Sequence, residues 1–358
     1  MSSLLEVRGL AKEFPIRSAF LRRRLGAVAA VAEVDLDIAA GETVALVGES
    51  GSGKSTLGRM IVRLIEPTRG EIRFRGEDLL ALPPRELRRA RRHFQVVFQD
   101  PYGSLNPRMR IGDALLEPLL VHGLAAGSGA SGGERREKRA LQVAGMLAEV
   151  GMPAEAARRY PHEFSGGQRQ RIGIARALAS QPALLVADEP VSALDLSVRA
   201  QIVNLLANLQ RDRGIAMLFI AHDLALVEQI ADRIAVLYLG RIVEEGPAAA
   251  LLAAPLHPYT ASLIAAVPRV RAAGGLRLRR VPAGEPPSAS DPPPGCPFHP
   301  RCAAATERCR SERPLLLGSA GERKVACHYP GEAALVQRTA PESRPGDGTF
   351  LANGRREL

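Results

Sequence analysis

Short apolar runs alternate with amphipathic stretches along most of the chain. VALVG (Val44–Gly48), ALLVAD (Ala183–Asp188) and AMLFIAHD (Ala216–Asp223) read as strands buried on both faces. LGRMIVRLI (Leu57–Ile65) carries the helical period directly after a glycine-rich loop. RIAVLYLGRIVEEG (Arg233–Gly246) reads as a hairpin turning at Leu239-Gly240. Helical stretches separate these strands, so the pattern predicts an α/β core with a mostly parallel sheet. LLEVRGL (Leu4–Leu10) and the alternating VAEVDLDI (Val31–Ile38) predict a small antiparallel β layer beside it.

Between Asp100 and about Arg159 the strand signals stop, and ALLEPLLVHGL and LQVAGMLAEVG predict a helical insertion over about 100–165. Inside it, AAGSGASGGERREKR (Ala125–Arg139) reads as a Gly/Ser linker followed by a solvated charge run, with Ser131-Gly132-Gly133 in a flexible loop. From about Ala250 the texture turns Pro-rich, as in VPAGEPPSASDPPPGCPFHP (281–300). The expected organisation is a main domain over 1–250, a small Cys-containing extension over 251–330 and a disordered tail over 331–358.

The 46% apolar content of the 358 residues is enough for a sizeable core. The net charge of +10 suits an anionic partner: nucleotide, nucleic acid or an acidic membrane surface. It is equally the signature of an Arg-rich composition. Scarce aromatics and the absence of Trp disfavour a base-stacking nucleic-acid platform. MSSLLEVRGL lacks a basic start followed by a long apolar stretch, so no signal peptide is expected. The longest apolar runs, such as IAMLFIA (Ile215–Ala221), fall well short of the roughly 20 residues of a membrane-spanning helix. A cytosolic chain with only a peripheral membrane role is the expectation.

The chemistry starts at GESGSGKST (Gly48–Thr56), after a strand and ahead of a helix. That context suits a phosphate-binding loop: Gly48, Gly51 and Gly53 let successive N–H groups, with those of Ser50 and Ser52, face phosphate oxygens at a helix N-terminus. Lys54 would reach the β- and γ-phosphates, and Ser55, beside Thr56, would bind Mg²⁺. At the end of ALLVAD, Asp188 would hold Mg²⁺ and Glu189 would polarise an attacking water as general base. Gln99 after VVF and His222 after LFIA end two more strands at the edge where a γ-phosphate would lie. A second glycine cluster, FSGGQ (Phe164–Gln168), precedes the helix GQRQRIGIARAL, whose N-terminal dipole also favours an anion.

Gly48–Thr56, Gln99, FSGGQ, Asp188-Glu189, SALD (Ser192–Asp195) and His222 occur in the order and at roughly the spacing seen in ABC-type ATPases, which the chain resembles over about residues 4–250. The resemblance implies two ATP molecules sandwiched head-to-tail between two nucleotide-binding domains. Ser165, Gly166, Gly167, Gln168 and Asp195 would then face the ATP of the partner subunit. It adds Gln99 to the Mg²⁺ ligands, gives Glu189, His222 and Gln99 catalytic roles, and places Phe14 against the adenine. FQDPYGSLNPR (Phe98–Arg108), HPYT (His257–Thr260) and the C-terminal cysteines resemble the ATPases of oligopeptide/dipeptide permeases, a branch that includes nickel and glutathione importers. STLGRMIVRLIEPTRG (Ser55–Gly70) looks like the F-type member of the usual pair. A heterodimer with a D-type sister, two membrane permease subunits and, indirectly, an extracytoplasmic solute-binding protein are implied. So is a place on the cytoplasmic face of the inner membrane, with no nucleic-acid partner. The alternative is a non-transport ABC ATPase acting on nucleic acid or ribosomes, but those carry two cassettes or a long coiled coil, and no sustained heptad run is present. A stand-alone P-loop kinase or GTPase would leave FSGGQ unexplained.

All four cysteines fall in one segment, Cys296, Cys302, Cys309 and Cys327, spaced C-x5-C-x6-C-x17-C. In a reducing compartment the cluster suggests metal ligation rather than disulfides. The segment shows little helix or strand pattern and few apolar residues, a composition expected of a unit held by metal. Structural zinc sites favour short C-x2–4-C pairs, which this spacing lacks, whereas four spread thiolates suit a [4Fe–4S] cluster. The peptide-permease resemblance points to that cluster, and His299 and His328 keep Zn²⁺ open as the alternative.

Overall fold

The computed structural model describes residues 3–17, 24–100, 102–127, 129–266, 285–319 and 322–331. In chain order the described elements begin with β1 (Ser3–Arg17), β2 (Arg24–Ala39), β3 (Thr43–Val47), α1 (Lys54–Ile61), β4 (Arg69–Phe74), β5 (Glu77–Asp78), α2 (Pro84–Ala90) and β6 (Phe94–Val97). The middle of the chain supplies α3 (Ile111–Val121), α4 (Gly132–Glu149), α5 (Gly166–Leu178), β7 (Leu184–Asp188), α6 (Leu196–Arg213) and β8 (Ala216–Ala221). Then follow α7 (Leu224–Val227), β9 (Arg233–Tyr238), β10 (Arg241–Pro247), α8 (Ala248–Ala253), α9 (Pro258–Ala266), α10 (Glu307–Ser311), β11 (Leu317–Ser319) and β12 (Arg323–Val325).

Two sheets organise them. An antiparallel sheet has the order β2-β1-β4-β5, and an eight-stranded sheet has the order β11-β12-β10-β9-β3-β8-β7-β6. Within the larger one, β9, β3, β8, β7 and β6 are parallel. Both expected layers are therefore present. The β3 run TVALV is buried at every position because its alternate side chains enter different cores. Val44 and Leu46 pack with α1 and the antiparallel sheet, whereas Ala45 and Val47 pack on the side of α3, α5 and α6. Parallel strands covered on both faces carry their ligand groups at the carboxyl ends. In this fold that edge holds the loop after β3 and the residues after β6, β7 and β8.

The helical insertion is present as α3 and α4, but its linker is shorter than expected. Ser131-Gly132-Gly133, read as a flexible loop, starts α4, and the charge run lies on that helix. The Glu134 carboxylate accepts from both the Ser131 N–H (3.1 Å) and hydroxyl (2.9 Å), closing a capping box that offsets the two glycines. Val143 and Leu147 bury the helix's apolar stripe.

The segment after residue 250 also departs from the expectation of Pro-rich loops around a self-contained unit. It opens with two helices, α8 and α9, and it shares the main core: Tyr259, Cys296, Phe298 and Cys309 lie in the same buried cluster as β3 and α5. Phe298 packs against Tyr238 and Tyr259, with ring centroids 5.4 Å from each. β12 pairs with β10 and extends the main sheet. Apolar burial against the cassette therefore contributes to holding this segment. The tail expected over 331–358 lies, beyond Gly331, outside the described residues.

Candidate functional site

The loop Gly48–Gly53 turns from β3 into α1, with Gly51 (φ 79°) and Gly53 (φ 103°) in backbone conformations that L side chains rarely adopt. At Gly53 the requirement is also steric. A Cβ there would meet the carbonyl oxygen of Ala30 at 2.1 Å, so β2 lies directly against the loop. Lys54, 4% exposed, folds its ammonium back onto the carbonyls of Gly48 (2.8 Å) and Glu49 (2.9 Å). Burial pushes its pKa down, while the carboxylates of Glu189, Asp188 and Glu49 oppose that shift. Ser52 Oγ is buried without a hydrogen bond, an orphan that a phosphate oxygen would satisfy.

Asp188, at the end of β7, is 1% exposed. Its Oδ1 accepts from the Ser55 hydroxyl at 2.6 Å, and Oδ2, which has no hydrogen bond, faces Arg59 at 3.4 Å. A buried carboxylate with an open oxygen beside a hydroxyl fits a Mg²⁺ coordinated chiefly by waters and nucleotide. Glu189 follows in a left-handed conformation (φ 47°), uncommon for a residue with a side chain. Gln99 Nε2 donates to Glu189 Oε2 at 3.2 Å, and His222 Nδ1 lies 3.7 Å from the same oxygen. The structure thus gathers Lys54, Ser55, Asp188, Glu189, Gln99 and His222 at one edge of the sheet.

Phe14 is 40% exposed, with the Lys12 ammonium 5.2 Å from its ring centroid. It pairs across the antiparallel sheet with Val28, two residues before the Ala30 that abuts Gly53. Ser165 caps α5: its Oγ accepts from the Gln168 N–H (3.3 Å), and Gln168 Oε1 accepts from the Ser165 N–H (3.0 Å). A Cβ at Gly167 would meet Val198 of α6 at 2.5 Å, which fixes glycine where α5 crosses α6. Ser165, Gln168 and Asp195 are exposed. Ser165 and Gln168 bond each other at the start of α5, and Asp195 stands at the start of α6.

Residues of the C-terminal segment also touch the loop. The Glu49 N–H donates to the Tyr259 hydroxyl at 2.7 Å, and Arg301 donates to both Glu49 carboxylate oxygens at 2.8 and 2.9 Å. Arg59 of α1 reaches Asp188. Tyr259 sits in HPYT, which the sequence does mark out, but Arg301 lies 252 residues from its partner and carries no local signal.

The four cysteines border one cavity of about 20 Å³ together with His257, Phe298, His299 and His328. All four are free thiols. Burial raises the pKa of Cys296 and Cys327, each to about 11, and also raises that of Cys302. Neighbouring thiols add to each shift. The donor chemistry, sulfur with no carboxylate, suits a soft metal or an iron–sulfur group. The geometry offers no ready single-ion site, because no three His, Cys, Asp or Glu side chains among the described residues form a group that could hold a metal ion. A cavity of this size takes about one water-sized occupant, so a four-iron cluster needs the thiols to spread. His257, buried, has its pKa pushed down to about 3 and is neutral, and its Nδ1 accepts the Tyr259 N–H at 3.1 Å.

Among the described residues no helix is long and apolar enough to cross a membrane. The family model "ABC transporter" matches residues 31–192, and "Oligopeptide/dipeptide transporter, C-terminal region" matches residues 243–309. The chain is 49% identical to the probable peptide ABC transporter ATP-binding protein y4tS of Sinorhizobium fredii, over 98% of this chain and 99% of that one. It is 46% identical to the oligopeptide transport ATP-binding protein AppF of Bacillus subtilis, over 91% and 97%. Among solved structures it is similar to the ATP-binding cassette MJ0796, a dimer in a post-hydrolysis state bound to ADP and Pi (TM-score 0.59, 30% identity, 68% of this chain and 98% of that one). With a glycine loop, a buried Asp188 and a Glu189 between Gln99 and His222 on one sheet edge, the chain belongs to the ATP-hydrolysing, ATP-binding proteins of ABC transporters, in the branch that carries the oligopeptide/dipeptide transporter C-terminal region.

Proposed function

We propose that this chain energises import of peptides or related small solutes through separate membrane subunits. The observation that carries the reading is the Glu189 carboxylate, held within reach of both Gln99 and His222 beside Lys54. A water placed between Glu189 and the γ-phosphate loses its proton to the carboxylate as it attacks in line, and His222 and Gln99 orient that water and the transferring phosphoryl group. Lys54 leaves the carbonyls of Gly48 and Glu49 to meet the β- and γ-phosphates. Mg²⁺ held by Ser55, Asp188 and Gln99 would neutralise charge on the phosphates. Phe14 offers its face to the adenine. Ser165, Gly166, Gly167, Gln168 and Asp195 complete the site of a second subunit, so two ATP molecules close the pair and hydrolysis reopens it.

The second subunit in this reading is a D-type sister, and the pair works from the cytoplasmic face of the inner membrane beneath two permease subunits and a solute-binding protein. A cavity of about 170 Å³, lined by Gln95, Phe98, Pro118, Gln170 and Arg176, lies between β6, α3 and α5. In this reading, side chains of a permease helix would enter it between the Gln99 region and the helical insertion. The direct experiment reconstitutes this chain with its sister and permease subunits in vesicles and measures ATP-driven uptake of labelled peptides. Uptake that follows ATP hydrolysis supports the reading; hydrolysis stimulated by nucleic acid or ribosomes instead of permease overturns it.

We also propose that Cys296, Cys302, Cys309 and Cys327 are ligands to a [4Fe–4S] cluster in a structural or docking role, with Zn²⁺ as the alternative. Their shared cavity and all-sulfur donor set support it. Protein purified anaerobically should absorb broadly near 400 nm and contain roughly four irons per chain. Colourless protein with stoichiometric zinc would keep the ligands and replace the cluster.

A further inference from the structure

Glu49, the first variable residue of the phosphate loop, is held at three points. Its N–H donates to the Tyr259 hydroxyl at 2.7 Å, its carboxylate takes a two-pronged hydrogen bond from Arg301 at 2.8 and 2.9 Å, and its carbonyl accepts the Lys54 ammonium at 2.9 Å. The side chain of Arg301 is only 4% exposed, and its guanidinium lies 6.0 Å from the Tyr238 ring centroid and 5.8 Å from that of Phe298. Tyr238, Tyr259 and Phe298 pack on one another beneath it. The strut is therefore rigid: aromatic rings fix the guanidinium, and the fork of Arg301 fixes both oxygens of Glu49. Farther along the loop, Gly240 donates its N–H to the Ser52 carbonyl at 2.9 Å. The glycine-rich stretch between Glu49 and Ser52 is thus anchored at both ends.

A glycine-rich loop gives its N–H groups to phosphate only in one of many backbone conformations. A ligand that binds that conformation alone loses affinity in proportion to how seldom it is populated. We infer that Arg301, seconded by Tyr259, is a positioning residue for nucleotide binding: from the C-terminal segment it holds the phosphate loop, through Glu49, in the conformation that receives the phosphates of ATP. The C-terminal segment is then part of the ATP site's support as well as an appendage to the cassette. The inference rests on the reading of Gly48–Thr56 as the ATP loop, and the experiment separates the two.

Binding of MgATP to the purified full chain is measured by titration calorimetry for Arg301→Ala, Arg301→Lys, Glu49→Gln, Tyr259→Phe, the Arg301→Ala/Glu49→Gln double variant and Lys54→Ala. Arg301→Ala and Glu49→Gln should each weaken binding by about tenfold, and the double variant should be no worse than either, because one interaction has been removed twice. Arg301→Lys, which keeps the charge but not the fork, should fall between. In steady-state hydrolysis the loss should appear as a raised KM with kcat little changed, since neither residue touches the reacting atoms. Hydrogen exchange of the peptide covering residues 44–56 should quicken in Arg301→Ala without nucleotide. If Arg301→Ala does not fold, Glu49→Gln and Tyr259→Phe carry the test from the other side of the contact. Wild-type affinity in these variants, with only a lowered unfolding midpoint, overturns the inference and leaves Arg301 a packing residue. Unaltered binding in Lys54→Ala would instead overturn the ATP reading of the loop.

Discussion

In the proposed reaction Glu189 is the central residue, and its backbone conformation is uncommon for a residue with a side chain. The left-handed conformation after β7 turns the carboxylate back toward Gln99 and His222 instead of letting the strand run on. Glu189→Gln preserves size and hydrogen bonding but removes the proton acceptor. Turnover should drop roughly 10²–10⁴-fold while MgATP still binds. The same variant should accumulate an ATP-bound dimer visible by size-exclusion chromatography; undiminished turnover would remove Glu189 from the reaction. Both carboxylates are legible in the sequence, because an apolar run buries a strand and delivers the Asp-Glu pair at its carboxyl end, where a glycine loop upstream already marks a phosphate site. The positive φ is not. Nothing in the order of residues says that the chain bends there, only the packing that surrounds it.

At the scale of elements, the most instructive pair is β10 and the short β12 laid against it. Glu244 of β10 is fully buried, and its carboxylate accepts from Arg323 of β12 at 2.6 Å and from the N–H groups of Leu256 and His257 at 2.8 and 2.9 Å. One side chain therefore ties the hairpin, the chain entering α9 and β12 together. Glu244→Ala strands the buried guanidinium and two amides, and should cost about 3–5 kcal/mol, read as a lower urea midpoint at unchanged slope. An unshifted midpoint would show that water or a rearranged Arg323 replaces the carboxylate. The strands of the parallel core are legible from their apolar runs, since they are buried on both faces. β12 is not, because three residues carry no period. The start of α4 shows a legible signal overridden. Ser131 and Glu134 make a capping-box spacing, but the glycines around them suggest a loop, and the stripe of Val143 and Leu147 that commits the segment to a helix lies further on.

On the scale of the whole molecule, the proposed sandwich gives the chain two phosphate grips. The loop at Gly48–Thr56 completes its own site with Asp188 and Glu189, while the capped N-terminus of α5 is exposed. A chain disabled at one grip should therefore rescue a chain disabled at the other. Mixing Ser165→Arg with Lys54→Ala should recover one intact composite site, and part of the hydrolysis, wherever the two chains can pair. If pairing needs the sister, activity should appear only on adding it, and activity strictly linear in this chain alone would argue against the sandwich. The composite site is proposed from motif resemblance, whereas the contact from Arg301 to Glu49 spans 252 residues and shows only once the fold is closed. The position of β12 has one more consequence. It pairs with β10 at Glu244 and Glu245, so a proteolytic clip ahead of residue 323 would uncover that part of the β10 edge. Clipped chains should then pair edge to edge and scatter light at concentrations where the intact chain stays clear, making β12 a guard against self-association.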